Sequence, residues 1–213
     1  YGNPAKSMTM IGITGTNGKT SSTLLLKHVL ETVKGAKVGL IGTMENRIGD
    51  EVIPTERTTP ESFELQGLFA RMRDAGCTHV VMEASSHALY LDRVYGVPFA
   101  VGIFTNLTQD HLDYHVTMEN YCKAKTILFR MLGANGEQAG LQKTAVINID
   151  DPWANQFMVA SNVPVVTYSM QKDASWKAED VQVGAEGVRY TVDGQPVVLH
   201  LTGNFNVYNS LAA

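Results

Sequence analysis

Runs of apolar residues recur at positions 8–13, 37–41, 79–82, 99–104, 144–149 and 163–167, and apolar residues at helical spacing fill most of the intervals. Alternation of this kind predicts a doubly wound, mostly parallel α/β sheet whose crossover helices cover both faces. Several runs are apolar without a break, as strands buried on two sides must be. After Asp173 the texture changes to short alternating segments at 181–183, 188–192 and 197–201, separated by Gly184-Ala185-Glu186-Gly187 and Asp193-Gly194. These predict a small antiparallel β section towards the carboxyl end. Residues 206–213 read as a helix that begins without a closing signal, so the chain is expected to be a domain of a longer protein.

The first apolar run opens into Gly15-Thr16-Asn17-Gly18-Lys19-Thr20, followed by a long helical stretch. Glycines let backbone N–H groups turn towards an anion, the helix offers its positive end, Lys19 brings a point charge and the Thr20 hydroxyl can ligate Mg²⁺. A nucleotide triphosphate site is therefore predicted in a P-loop-like turn. The spacing is shorter than the usual loop, because the position where its first glycine would fall is occupied by Ile13.

Composition narrows the partners. With 17 basic and 21 acidic side chains the formal charge is −4, so no general attraction to nucleic acid or an anionic membrane is expected and phosphate binding must be local. No apolar stretch approaches the ~20 residues that span a bilayer. Cys77 and Cys122 form neither a disulfide framework nor a metal-ligand pair, which suits free thiols in a reducing cytoplasm.

Further candidates lie where strands should leave the sheet. Glu83 follows the run at 79–82, the position where an acidic residue of nucleotide-hydrolysing α/β proteins completes a Mg²⁺ shell, although it could instead cap the next helix beside Ser85 and Ser86. The segment from Thr105 to His115 gathers Asn106, Thr108, Asp110, His111, Asp113 and His115, groups able to ligate a cation or orient a nucleophile. Spacing does not choose between His111 and His115. In the next helix Met118, Tyr121, Cys122, Leu128, Phe129 and Leu132 form an apolar stripe that contains Lys125. An ammonium there must snorkel, pair or lose its charge; snorkelling is the commoner outcome, while a neutral amine could accept CO₂ to become a carbamate.

Taken together the segments resemble the Mur ligase family, and within it the branch that adds the third residue of the peptidoglycan stem. The carriers are Tyr1-Gly2 with Pro4, the turn Gly15 to Thr20, Thr58-Thr59-Pro60, Glu83 with Ser85-Ser86-His87-Ala88-Leu89, Thr105 to Thr108, Asp110 to His115, Tyr121 with Ala124-Lys125, and Gly203 with Asn206 and Asn209. The resemblance covers essentially the whole chain. It implies that residues 1–213 are the central ATP-binding domain, with an amino-terminal uridine-binding and a carboxyl-terminal amino-acid-selecting domain outside this chain. The chain alone is then expected to ligate poorly or not at all.

Position by position, the resemblance implies that Gly15, Thr16, Asn17, Gly18, Lys19, Thr20 and Ser21 hold the ATP phosphates, with Asn206 and Asn209 near the adenine. Thr20 and Glu83 would hold one Mg²⁺, and His111 with a carbamylated Lys125 a second. Lys19, Lys125 and His111 would be catalytic. Thr58, Thr59, Ser85 and Arg93 would contact UDP-MurNAc-dipeptide, the incoming amino acid being lysine or meso-diaminopimelate. The implied reaction is ATP-driven amide formation through an acyl phosphate, in the cytoplasm. Leu91 stands where relatives often carry glutamine, and Ala84 where valine is frequent. Alternatives are another Mur-type or folylpolyglutamate-type ligase, or a nucleotide-binding protein that performs no ligation. Thr59 before Pro60 is in addition a natural helix cap.

Overall fold

The computed structural model describes residues 1–134 and 141–213. A 3₁₀ turn (Pro4–Ser7) precedes β1 (Thr9–Thr14), α1 (Lys19–Lys34), β2 (Val38–Ile41), β3 (Asn46–Ile48), β4 (Glu51–Ile53), α2 (Ser62–Asp74), β5 (His79–Glu83), α3 (Ser86–Tyr90) and β6 (Phe99–Phe104). Then follow α4 (Leu112–His115), α5 (Met118–Ala134), β7 (Thr144–Asn148), α6 (Ala154–Ala160), β8 (Val165–Ser169), β9 (Trp176–Lys177), β10 (Glu179–Gly184), β11 (Gly187–Val192), β12 (Gln195–Leu199) and α7 (Asn204–Leu211). Nine strands make one sheet in the order β4-β3-β2-β5-β1-β6-β7-β8-β9, in which every neighbouring pair is parallel except β2–β3 and β3–β4.

Alternation of side chains along β1 explains the two covered faces. Met10 joins a core built with Leu65, Phe69 and Met72 of α2, Leu128, Phe129 and Leu132 of α5, and Phe157 of α6. Ile11 and Ile13 point the other way, into a core with Leu26 and Leu30 of α1 and with Tyr208 and Leu211 of α7. The predicted doubly wound sheet is thus observed. The antiparallel section is also present, as the three-stranded sheet β10-β11-β12, whose Val188 and Tyr190 pack with Val207 of α7.

Two elements lie outside the predicted pattern. The hairpin β3–β4 extends the sheet antiparallel to β2, and its six residues include Asn46, Arg47 and Glu51, too polar to form an apolar run. The strand β9 is only two residues long. Thr59 is not the cap of α2: Glu61 fills that position in a reciprocal capping box with Glu64, leaving the Thr59 hydroxyl free for another partner. Both thiols are free and buried, and burial pushes Cys122 up to about 11. Among the described residues no helix is long and apolar enough to cross a membrane.

The topology places the loops. From β1 the chain moves to β2 on one side, and from β5 it later crosses to β6 on the other, so the turns after β1 and β6 flank the point where the winding reverses. Ligands of open α/β sheets bind at that crevice, outside the carboxyl ends of the strands.

Candidate functional site

The turn after β1 is built against the segment after β6 through a dense set of polar contacts. The Thr16 N–H donates to the Asn106 carbonyl at 2.8 Å, and the Asn17 N–H to Asn106 Oδ1 at 3.0 Å. The Thr105 hydroxyl donates to the Asn17 carbonyl at 2.7 Å, and Thr108 N–H donates to Thr16 Oγ1 at 3.0 Å. The segment singled out in the sequence as a polar cluster is therefore chiefly the scaffold of the turn after β1. Gly18 caps α1 with φ 85°, and among the described residues no side chain caps the first N–H groups of that helix. They stay available to an anion, which the helix dipole favours.

Lys19 reaches back over the turn, its Nζ donating to the carbonyls of Gly15 at 3.0 Å and Thr16 at 2.8 Å. Burial lowers its pKa, while Glu83 and Asp110 push it back up. Lys125 arrives at the same carbonyl from α5. Its Nζ donates to Gly15 O at 2.8 Å, and the residue is 1% exposed. It does not snorkel: burial foremost, and then Lys19, hold it well below the usual lysine value. The Tyr121 ring lies 4.5 Å from that nitrogen, and the Tyr121 hydroxyl is 3.3 Å from Thr16 Oγ1.

Glu83 ends β5 fully buried, and among the described residues its carboxylate accepts hydrogen bonds only from neutral groups. Thr20 Oγ1 donates to Oε1 at 2.9 Å, Thr43 N–H to Oε1 at 3.0 Å and Thr43 Oγ1 to Oε2 at 2.9 Å. Glu83 does not cap α3, since Ser85 does so by accepting from the Ala88 N–H. A buried carboxylate beside a hydroxyl, with no neutralising side chain bonded to it, is a donor set for a hard divalent cation. Among the described residues no three histidine, cysteine or carboxylate side chains gather to hold a metal by themselves. A cation here would thus draw further ligands from nucleotide oxygens or water.

His111 stands at the start of α4 with φ 51° and lies 6.0 Å, centroid to centroid, from the Tyr121 ring that carries Lys125 on its face. His115 is instead buried, its Nε2 3.0 Å from Ser86 Oγ. The structure so separates the two histidines, one exposed near Tyr121 and one packed inwards.

The four residues expected to contact a substrate converge around Thr59. The Thr59 hydroxyl donates to the Glu83 carbonyl at 2.8 Å and accepts from the Ser85 N–H at 3.1 Å. Arg93 donates through Nη1 to the Thr59 carbonyl at 3.2 Å and pairs through Nη2 with Glu61 at 2.8 Å. Thr58 Oγ1 lies 3.1 Å from Thr43 Oγ1. Leu91 is 49% exposed beyond α3.

Beside the turn after β1, a cavity of about 530 Å³ is lined by Asn17, Gly18, Ser21, Asp150, Tyr208 and Asn209, among others. Asn209 lies against Gly18, where a Cβ would fall on its Oδ1. Asn206 stands one step back, accepting from Asn209 Nδ2 at 3.1 Å. Sequence reasoning missed Thr43, Asp150 and Tyr208, none of which sits in a recognisable pattern. Asp150 is held below the usual carboxylate value, against its burial, by hydrogen bonds from Ser169, Met170, Tyr208 and Gln171.

A family model described as the Mur ligase middle domain matches residues 13–213. A curated relative from Clostridium botulinum (strain ATCC 19397 / Type A), named UDP-N-acetylmuramoyl-L-alanyl-D-glutamate--2,6-diaminopimelate ligase, is 46% identical over 217 residues, covering 100% of this chain and 43% of that protein. The equally named protein of Bacillus velezensis is 45% identical over 219 residues, covering 100% and 44%. A solved structure bearing the same ligase name superposes with a TM-score of 0.84 at 30% identity, over 97% of this chain and 42% of that one. This chain spans less than half the length of these relatives. With the matched residues running from β1 through α7, the chain belongs to the Mur ligase family, as its middle domain.

Proposed function

We propose that this chain is the ATP-binding part of a cytoplasmic ligase that joins an amino acid to UDP-MurNAc-L-Ala-D-Glu in peptidoglycan precursor synthesis. The observation that carries the reading is the meeting of Lys19 and Lys125 on the Gly15 carbonyl, beside an uncapped helix start and the Glu83–Thr20 pair. The names of the relatives favour 2,6-diaminopimelate over lysine as the incoming amine.

In this reading Gly15 to Ser21 cradle the phosphates of ATP, and the cavity bounded by Asn209 and Asp150 receives the adenosine end, with Asn206 holding Asn209 in place. Thr20 and Glu83 would hold one Mg²⁺, and His111 with Lys125 would serve another. Bound magnesium supplies charge neutralisation for phosphoryl transfer. Lys125 is suited to carry a carbamate, because burial favours the neutral, nucleophilic form of its amine: the nitrogen bonds to the carbon of CO₂ and releases one proton. Thr58, Thr59, Ser85 and Arg93 orient the UDP-linked dipeptide. Its carboxylate attacks the γ-phosphorus, ADP leaves, and the amine then displaces phosphate from the acyl phosphate to form the amide. Lys19 offsets the negative charge gathered in the first of these steps.

The test is a phosphate-release assay with the full-length ligase, ATP, magnesium, UDP-MurNAc-L-Ala-D-Glu and either amine, the product being weighed by mass spectrometry. A tripeptide formed with diaminopimelate, and stimulated by bicarbonate, is expected. ATP hydrolysis without any amide product would overturn the reading.

A further inference from the structure

The Glu83 carboxylate is held at both oxygens by one residue, Thr43, which lies 40 positions earlier in the chain. Strands β2 and β5 run side by side with Ile41 opposite Met82, so Thr43, just past the end of β2, meets Glu83, the last residue of β5. There the Thr43 N–H donates to Oε1 at 3.0 Å and its hydroxyl to Oε2 at 2.9 Å. The approach is close: at Gly42 a Cβ would stand 2.7 Å from Glu83 Oε1, so a side chain there would push the carboxylate aside.

A carboxylate oxygen accepts more than one hydrogen bond, and Oε1 already takes both the Thr20 hydroxyl and the Thr43 N–H. With Oε2 tied to the Thr43 hydroxyl, the carboxylate plane cannot rotate about its last bond without losing a contact. Partners that fix the orientation of a ligating group raise metal affinity without touching the metal. Thr43 has a second neighbour, Thr58 Oγ1 at 3.1 Å. The one Thr43 proton thus faces two acceptors, Thr58 Oγ1 at 3.1 Å and Glu83 Oε2 at 2.9 Å, and the charged carboxylate is the stronger of them. A chain of hydroxyls so links the Thr58–Thr59 loop to Glu83, and Glu83 to Thr20 at the start of α1.

We propose that Thr43 is a positioning residue: its hydroxyl orients the Glu83 carboxylate for a divalent cation and ties that cation site to the loop carrying Thr58. The proposal rests on the reading of Glu83 and Thr20 as a magnesium site. Thr43 touches neither nucleotide nor substrate in it and acts through Glu83.

Calorimetric titration of the chain with ATP, over a series of magnesium concentrations and without magnesium, provides the test. Thr43→Val keeps the shape and the N–H but deletes the hydroxyl, and is expected to raise the magnesium concentration for half-maximal binding about tenfold. ATP affinity without magnesium stays at the parental value, and Thr43→Ser restores the magnesium response. Thr43→Ala, also lacking the hydroxyl, repeats the result if valine disturbs the fold. Equal magnesium responses in the parent and both hydroxyl-free variants would overturn the proposal alone. Loss of metal-free affinity in valine and alanine variants alike would mark a merely structural role and also overturn it. Absence of any magnesium effect in the parent would remove the cation site itself, and this proposal with it.

Discussion

Lys125 and Gly15 are 110 residues apart in sequence, yet the lysine Nζ donates to the glycine carbonyl at 2.8 Å inside the protein. That carbonyl also takes Lys19 at 3.0 Å, so two lysine side chains converge on a single oxygen of the turn after β1. Burial favours loss of a proton from both, the Lys19 charge adds to it at Lys125, and the more deeply buried Lys125 is the one pushed furthest down.

The titration of Lys125 should be visible in folding stability. Its folded value lies well below the ordinary 10.5, so between the two values the unfolded chain binds a proton that the folded chain does not. Stability then rises with pH across that window. Urea unfolding of the parent and of Lys125→Met, followed from neutral pH towards 10.5, should show the parent gaining on the variant as pH rises. Parallel profiles would contradict the assigned direction.

Removing either lysine should disable ligation in the full-length protein. Lys19→Ala and Lys125→Ala are each expected to lower turnover about a hundredfold or more, the scale of a lost transition-state electrostatic contact. The loss in the Lys125 variant should be independent of bicarbonate, whereas the parent responds to it. Near-parental turnover in either variant would strike that residue from the mechanism.

Gly18 is required by geometry rather than by flexibility in general. Its φ is +85°, and a Cβ would fall on Asn209 Oδ1. Gly18→Ala should cost about 1–3 kcal/mol and abolish ATP binding by displacing Asn209 and the first helical N–H groups. Gly76 is the control, with φ +81° and open space around its Cβ position. Gly76→Ala should be destabilised by strain alone and still bind ATP in the same calorimetric titration.

Thr59 knits the end of β5 to the loop before α2. Thr59→Val deprives the Glu83 carbonyl and the Ser85 N–H of their shared hydroxyl, and is expected to destabilise by about 1–3 kcal/mol in urea unfolding. Thr59→Ser should recover most of that loss. Equal stabilities of parent and valine variant would show that the hydroxyl is replaced by another donor.

Much of the frame was legible because it depends on local chemistry repeated along the chain. Unbroken apolar runs such as Phe99–Phe104 marked strands covered on both faces, and the glycines before Lys19 marked a turn opening a helix. The hairpin β3–β4 escaped because short polar strands at a sheet edge need no apolar pattern. Periodicity put Lys125 on the buried stripe of α5, but could not say whether its nitrogen would reach water. That depended on how far the Gly15 carbonyl stood from the helix.

The sequence by itself therefore determined the α/β alternation, the glycine turn that opens α1 and the register of its lysine and threonine, since these follow from side-chain period and backbone freedom within a few residues. Only the tertiary structure decided which distant groups face one another. Thr43 and Thr20 meet on Glu83, and Lys19 and Lys125 on Gly15, while His111 stays exposed and His115 packs inwards. The physical reason is that the order of strands in the sheet brings together the ends of β1, β2, β5 and β6, and that order is a property of the whole packed core.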